Sequence, residues 1–305
     1  MKWFLVRRLL QTCLVVLGLS LLVFMILHVT GDPALVILPP YARTEEVAAF
    51  REKMGFNDPL LVQYARFLAR AIRGDFGMSF HQGQPALDLV LDRMPATIEL
   101  GVAAMVFALA LAVPAGILAA LRKDKLADFV GMSIALLGQS MPAFWLGLML
   151  VMLISVKLDL LPVSGRGGLA HLVLPAITLG SFTAARVARL TRSEMLEVLG
   201  QDFVRTARAK GLREGAVVGK HAFKNSLVPV LTIVALEFGT VLGGAVITET
   251  IFAWPGVGRL MVDSIFERDF PVVQAGVFVI AVIFVLLNLV VDVAYAWLDP
   301  RIRYT

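Results

Sequence analysis

The sequence predicts an all-α polytopic membrane protein with six transmembrane helices. Of its 305 residues, 58% are hydrophobic and only 17% are charged, and the mean hydropathy is +0.82. A soluble domain is about 45–50% apolar and about 25% charged, so a single globular interior cannot hold this much apolar surface. The apolar residues are also gathered into segments that reach or approach the roughly 20 residues needed to cross a bilayer. This composition argues against a soluble enzyme.

The first three predicted spans lie in the N-terminal half of the chain. Leu9–Val29 contains no Asp, Glu, Lys or Arg, and no small-residue cleavage site follows it, so we expect a retained anchor. Thr97–Leu121 contains a single acid near its start. Phe129–Val156 is free of charge, and Pro142 predicts a kink within it because proline cannot donate a backbone hydrogen bond.

The last three predicted spans are shorter or contain a charge. Leu172–Ala185 is short, and it reaches bilayer length only by continuing to Leu190 with its arginine side chains extended into the lipid headgroups. Leu227–Thr248 and Val272–Leu298 are long enough, but each contains one acid. Between them we predict an external turn at residues 253–258, followed by a short amphipathic helix.

The basic residues predict the orientation of the chain. With the N-terminus inside, the inner segments hold 17 of the 28 Lys and Arg residues, whereas the short outer loops hold four. Positive residues are retained on the cytoplasmic side, and the long segment before the second span is exempt from this rule. We therefore predict that both termini are cytoplasmic. Membrane lipid accounts for the net charge of +5 without nucleic-acid binding.

The spans divide the chain into three parts. Residues 1–30 form an N-terminal transmembrane helix, residues 31–96 an external segment, and residues 97–305 a core of five spans. Within the external segment we predict helices at Thr44–Lys53, with its first residue as the N-cap, and at Leu60–Arg73. Two amphipathic helices of this length predict a small folded cap.

The inner segment at about 191–227 differs from the other loops in length and charge. Nine basic and four acidic residues lie between Arg186 and Lys224, a net charge of +5. Apolar residues at helical spacing predict one helix that ends at Gly211 and a second amphipathic stretch over Glu214–Asn225. The pattern leaves two interpretations open, a surface that binds lipid headgroups and a docking site for another protein.

Catalytic and ligand-binding motifs are not found in the sequence. It contains no G-x-x-x-x-G-K-[ST] phosphate loop and no H-E-x-x-H pair, and its four histidines are scattered. The single cysteine, Cys13, cannot form an intrachain disulfide. We therefore expect a chain that is not an enzyme and that binds no metal or cofactor.

Acidic residues inside the spans are the candidates for a transport pathway. Glu237, Thr240, Gly244 and Thr248 form a polar or small stripe along the fifth span. An ionised carboxylate is costly in lipid, so this stripe is expected to face protein or water. It lines a substrate path, or Glu237 locks two helices together. A competing function, an ion-coupled secondary transporter or channel, would use Glu237 and Asp292 as ion sites.

Nine residues of the inner segment form a pattern that carries a family resemblance: Arg205, Thr206, Ala207, Arg208, Ala209, Lys210, Gly211, His221 and Asn225. This pattern resembles the coupling loop of ABC importer membrane subunits, in the variant of the dipeptide, oligopeptide and nickel group. Residues 74–79, 95–100, 249–260 and 299–303 resemble the same group, so the resemblance covers essentially the whole chain. It is closest to the first of the two permeases. The wider superfamily motif begins Glu-Ala-Ala, and no role of that glutamate can be transferred here.

The resemblance implies a type I ABC importer permease in the cytoplasmic (inner) membrane of a bacterium or archaeon. It implies as partners a second permease subunit, two cytoplasmic ABC ATPase subunits and an external solute-binding protein. ATP and magnesium would be used by the ATPase subunits, and translocation would proceed by alternating access. Dipeptides, oligopeptides, glutathione and nickel chelates all remain open as substrates.

Overall fold

The computed structural model describes residues 2–29, 34–35, 38 and 42–298, and in these ranges the protein is helical and contains no strand. The principal α-helices are α1 (Lys2–Val29), α2 (Thr44–Met54), α3 (Leu60–Ala71), α4 (Ala86–Leu121), α5 (Leu126–Ser140), α6 (Ala143–Leu150), α7 (Leu169–Leu199), α8 (Asp202–Ala209), α9 (Lys224–Ile251), α10 (Val257–Phe266) and α11 (Phe270–Leu298). Two π-helical segments join them: Val151–Lys157 continues α6, and Val217–Phe223 leads into α9. The predicted all-α fold class is confirmed.

The helices supply candidates for each predicted span. Within the described residues, α4, α7 and the Phe270–Leu289 part of α11 are long and apolar enough to cross a membrane, and two bent helix pairs bring the number to five. A shorter apolar helix, Leu10–Met25, lies within α1. The number of six spans and the cytoplasmic termini stay predictions. The fourth predicted span is longer than expected, because α7 continues without a break to Leu199.

The third predicted span is broken. The axes of α5 and of the helix that follows it differ by 105°. Met141 has an extended conformation, with ψ 130°, and Pro142 is the N-cap of the next helix, with ψ 134°. Proline lacks an N–H and disfavours helical geometry in the residue before it, so the helix ends where Pro142 begins. The expected kink within Phe129–Val156 is therefore corrected to two helices.

The structure separates into two compact units. The first comprises the described residues up to Ala96 together with Pro255–Leu289. The second comprises Thr97–Trp254 and the end of α11 from Val290. The structure thus groups the external segment with residues that the sequence division placed in the 97–305 core.

The external cap belongs to the first unit. Its helix α2 has Arg43 as N-cap, and the Arg43 amide donates to the Glu46 carboxylate at 3.1 Å, so the prediction of Thr44 as N-cap is wrong by one residue. Phe67 of α3 packs against Phe24 of α1 and Phe76, with ring centroids 5.8 and 6.4 Å away. Aromatic contacts of this kind bury large apolar areas, so the cap is held to its unit by a hydrophobic core.

A polar contact closes the first unit. Ser79 Oγ donates to Asp269 Oδ2 at 2.5 Å, and the Phe80 amide donates to Asp269 Oδ1 at 3.3 Å. His81 Nε2 lies 2.7 Å from the carbonyl oxygen of Glu267. Asp269 is 1% exposed, so its carboxylate depends on the Ser79 hydroxyl and the Phe80 amide in place of water. The loop after α3 is thereby joined to the start of α11.

Close helix contacts define the second unit. A Cβ placed on Gly180 of α7 would lie 2.5 Å from the Ala104 carbonyl oxygen, so α7 and α4 approach backbone to backbone. Small residues permit this approach in membrane proteins, where dispersion rather than the hydrophobic effect holds helices together. Elsewhere in this unit, Arg166 Nε donates to Glu99 at 2.9 Å, and its guanidinium lies 6.0 Å from the ring of the buried Trp254.

Candidate functional site

The predicted coupling segment is built on a buried apolar cluster. Helix α7 ends at Leu199, and the chain turns at Gly200 before α8. Val204 and Ala207 of α8 are buried against Met195 and Val198 of α7 and against Val217 and Ala222 of the π-helical segment. The predicted first helix is therefore two helices with a break at Gly200. Of the predicted apolar positions, Met195 and Ala207 are buried as expected, whereas Phe203 is 38% exposed and Val204 takes the inward position beside it.

The opposite face of α8 is open. Arg205, Thr206, Ala209 and Lys210 are all exposed, and the Arg205 side chain retains 84% of its accessible surface. The Asp202 carboxylate lies 3.6 Å from Arg205, a loose surface pair. This surface is consequently available to a partner molecule, whereas Ala207 serves the underlying cluster.

A glycine turn and an ion pair shape the end of α8. Gly211 has φ +72°, a conformation that residues with a Cβ rarely adopt. Arg208 Nη2 donates to Glu214 Oε1 at 2.6 Å, and Arg208 Nε donates to Oε2 at 3.2 Å. This bidentate contact raises the pKa of Arg208 and lowers the pKa of Glu214. The conformation of Gly211 and the Arg208–Glu214 ion pair together fix the turn after α8.

The second predicted stretch is the base of a transmembrane helix. Helical turns run from Glu214 through the π-helical segment into α9, with a bend of 53° before Pro229. His221 is half-buried, and its carbonyl oxygen accepts a hydrogen bond from Asn225 Nδ2 at 2.5 Å. Motion of the coupling segment therefore has a continuous helical path into α9.

A cavity of about 280 Å³ lies beside this path at the break in the third span. Met141 and Ala143 line it from the break itself, and Phe182 and Arg186 line it from α7. Thr240 and Gly244 of the predicted stripe line it from α9. The cavity belongs wholly to the second unit.

Glu237 lies behind the cavity wall. It is 3% exposed and its Oε1 accepts from Arg186 Nη1 at 2.5 Å. Thr183 and Thr240 hydroxyls donate to its Oε2 at 3.2 and 3.1 Å. The Arg186 side chain is 42% exposed, with its guanidinium 5.2 Å from the Phe182 ring. Arg186, and not the acid, is therefore the charged group that the cavity presents.

Only part of the predicted stripe lines the cavity. Thr240 and Gly244 contact the cavity, whereas Glu237 binds Arg186 and is not part of the lining. Thr248 is fully buried, and its hydroxyl finds no hydrogen-bond partner among the described residues. The side chain of Asp292 and residues 299–303 lie outside the described residues.

Sequence reasoning missed the partners of the arginines. Arg186 was expected to reach the headgroups, but it pairs with Glu237. Arg192 binds the buried carboxylate of Asp128 through two nitrogens, at 2.6 and 2.7 Å. The sequence did contain a signal for the first pair, because Arg186 borders one apolar segment and Glu237 lies within another. The described residues contain no group of three His, Cys, Asp or Glu side chains placed to hold a metal ion.

Comparison with protein families shows which family this chain belongs to. Residues 112–304 match the family described as binding-protein-dependent transport system inner membrane component, and residues 1–101 match the corresponding N-terminal family. The chain belongs to this family. It is therefore an ABC transporter permease of the inner membrane, and the predicted recognition and localisation are confirmed.

Named relatives match over the full length. The dipeptide transport system permease protein DppB of Alkalihalophilus pseudofirmus is 42% identical, covering 98% of each chain. DppB of Escherichia coli K12 is 40% identical, covering 100% of this chain and 99% of the relative. The glutathione transport system permease protein GsiC of the same strain is 41% identical and covers 99% of both chains.

Solved structures share the fold. The MetNI methionine ABC transporter in an inward-facing conformation matches with a TM-score of 0.58 at 18% identity, covering 69% of this chain and 96% of that chain. An amino acid ABC transporter with histidines matches with a TM-score of 0.51 at 17% identity, covering 70% and 94%. At these identities the likeness concerns the fold, and it confirms the predicted ABC importer permease architecture.

Proposed function

We propose that this chain is the permease subunit of an ATP-driven importer that moves small peptides inward by alternating access. The observation that carries the proposal is the full-length match to permeases named for dipeptide and glutathione transport. Dipeptides and glutathione share a peptide backbone with a free carboxylate. A short peptide is therefore the substrate class, with nickel chelates as the less favoured member of the group.

The proposed assembly contains a second permease subunit, two cytoplasmic ABC ATPase subunits and an external solute-binding protein. The chain itself has no phosphate loop, so ATP and magnesium are used by the ATPase subunits and this chain binds no cofactor. The exposed basic face of α8, with Arg205 and Lys210, supports an ATPase docking site. The external cap offers a surface for the solute-binding protein.

The coupling step follows from the apolar cluster under α8. A partner that moves α8 also moves Val204 and Ala207, which are packed against both α7 and the π-helical base of α9. These two helices carry Arg186 and Thr240 of the cavity lining. Because packed interiors shift between discrete arrangements rather than deforming continuously, displacement of α8 changes the cavity.

The ion-coupled alternative finds less support. It requires acids open to an ion, whereas Glu237 is 3% exposed and already bound to Arg186. Membership of a binding-protein-dependent family also favours an ATP-driven complex. The two functions differ in energy source, so one measurement separates them.

The decisive experiment reconstitutes the complex in liposomes. The chain is co-expressed with the proteins encoded beside it, purified in mild detergent and inserted with the binding protein outside. Uptake of labelled alanyl-alanine is then measured with ATP or a non-hydrolysable analogue inside. We expect uptake when ATP is inside the liposomes and none with the non-hydrolysable analogue. Ionophores, which dissipate ion gradients, should have no effect on this uptake.

Two controls complete this test. Liposomes without the binding protein are expected to show at most a few per cent of the uptake. Uptake that persists without ATP and collapses with the ion gradient would reverse the assignment in favour of a secondary transporter. Failure of any ATPase to co-purify would count against the docking role of α8.

A further inference from the structure

The cavity at the break in the third span has a distinct charge. Among its lining residues in the described part of the chain, Arg186 is the only one with an ionisable side chain. The remaining lining groups are apolar, small or hydroxyl-bearing, such as Phe182, Thr183 and Thr240. Glu237 behind the wall balances the charge of Arg186, but the cavity itself presents cationic N–H donors and no lining acid, which favours a ligand with an anionic acceptor group.

The orientation of Arg186 leaves part of its guanidinium for a ligand. Its contact with Glu237 uses Nη1, and no other hydrogen bond of this guanidinium forms within the described part of the chain. A guanidinium carries five N–H donors, so those on Nε and Nη2 remain. Glu237 and the Phe182 ring hold the side chain in place, and 42% of it is accessible. The group is therefore positioned before a ligand arrives.

The N-terminus of the helix after the break also favours an anion in this cavity. Helix α6 begins at Ala143, which lines the cavity. The amide end of a helix carries a partial positive charge, and discontinuous membrane helices direct such ends at anionic substrate groups. The helix start and the Arg186 guanidinium thus share one cavity, and both favour a carboxylate.

We infer that Arg186 binds the C-terminal carboxylate of the translocated peptide, and that Glu237 is a positioning residue for Arg186 and makes no contact with substrate. This inference rests on the proposed function. Arginine matches a carboxylate through two parallel N–H donors, whereas lysine offers only a point charge. Of the two interpretations that the sequence left open for the stripe, this assignment sets aside the one in which Glu237 itself meets the substrate.

The test separates the cation from the ion pair. Reconstituted complexes carrying Glu237→Gln, the double change Arg186→Gln with Glu237→Gln, and the double change Arg186→Lys with Glu237→Gln are compared with wild type. All three lack the original pair, but only the second lacks the cation. The probe is alanyl-alanine, whose one carboxylate is C-terminal. Each complex is first shown to retain its ATPase subunits.

The expected results differ between the variants. Uptake by Glu237→Gln stays within about threefold of wild type. The lysine variant, which keeps the positive charge but loses the two parallel donors, falls between Glu237→Gln and the doubly neutral variant. The doubly neutral variant loses about 10- to 100-fold, the range for one hydrogen bond to a charged group. Equal losses in all three variants would show that the pair only joins helices, and would overturn the inference.

Failure of the proposed function has a different signature. If the wild-type complex with its ATPase subunits takes up no alanyl-alanine, the peptide importer itself is refuted, and the inference falls with it. If the wild type transports and the doubly neutral variant transports equally well, only the role of Arg186 is refuted.

Discussion

Asp128 of α5 accepts two hydrogen bonds from Arg192 of α7, one at 2.6 Å from Nε and one at 2.7 Å from Nη2. The aspartate is 4% exposed, and it also accepts from the Asp124 amide at 3.0 Å. This bidentate pair joins the first helix of the broken span to the helix that leads into the predicted coupling segment. Its partners lie 64 residues apart in sequence.

Replacement of Arg192 by Gln is expected to destabilise the protein by about 3 kcal/mol, because it leaves a buried carboxylate without its cation. Thermal unfolding of the purified complex in detergent measures the change. Arg66→Gln is the matched control, since Arg66 pairs with Asp58 at the same 2.6 Å but with 56% and 39% of the side chains exposed. The control should lose at most about 1 kcal/mol. Equal losses in both variants would contradict the prediction.

Replacement of Gly211 by Val is expected to uncouple the ATPase subunits. Gly211 has φ +72°, and a β-branched side chain there costs about 1–2 kcal/mol or forces the turn to change. Co-purification of ATPase subunits and peptide uptake measure the effect. Gly219→Val is the control, because a Cβ at either glycine meets no atom within 4 Å but only Gly211 has a positive φ. Normal assembly and uptake in Gly211→Val would remove the turn from the docking role.

Replacement of Gly180 by Ala is expected to destabilise the protein by about 1–3 kcal/mol, since the new Cβ would lie 2.5 Å from a backbone oxygen of α4. Gly131→Ala in α5 makes the same chemical change where a Cβ meets no atom within 4 Å. Helix propensity should make that control neutral or stabilising by up to about 1 kcal/mol. The melting temperature should therefore fall in Gly180→Ala and stay unchanged or rise in Gly131→Ala, and an equal change in both would count against the close approach of α4 and α7.

Replacement of Ser79 by Ala is expected to loosen the external cap. The change removes the hydroxyl donor to buried Asp269, and an unsatisfied buried acceptor costs about 1–3 kcal/mol. Limited proteolysis of spheroplasts, read at residues 77–84, should be several-fold faster than in wild type. Ser140→Ala serves as control, because among the described residues the Ser140 hydroxyl bonds only to the Leu136 carbonyl of its own helix. An unchanged cleavage rate in Ser79→Ala would show that the contact does not hold the loop.

The sequence predicted the helices well where the signal is local. The cap helices, the turn before α10 and the buried position of Ala207 in α8 all follow from periodicity and capping within one element, although the neighbouring inward position is Val204 and not Phe203. The errors lie at element ends. Thr44 proved to be the first helical residue, and Pro142 separates two helices where a kink was expected. The angle at a proline depends on how the two flanking helices pack, which local patterns do not contain, whereas the N-cap shift is an error of one residue within a local pattern.

By itself, the sequence determined that the protein resides in a membrane, is all helical and concentrates basic residues in one segment, because composition, apolar periodicity and charge placement are properties of single segments. Only the tertiary structure decided which charges meet. Arg186 and Glu237 are 51 residues apart, and they pair because α7 and α9 pack side by side. That packing turned the glutamate away from the cavity and left the arginine facing it. Long-range electrostatic pairing depends on helix rotation and approach, and those are set by the whole bundle.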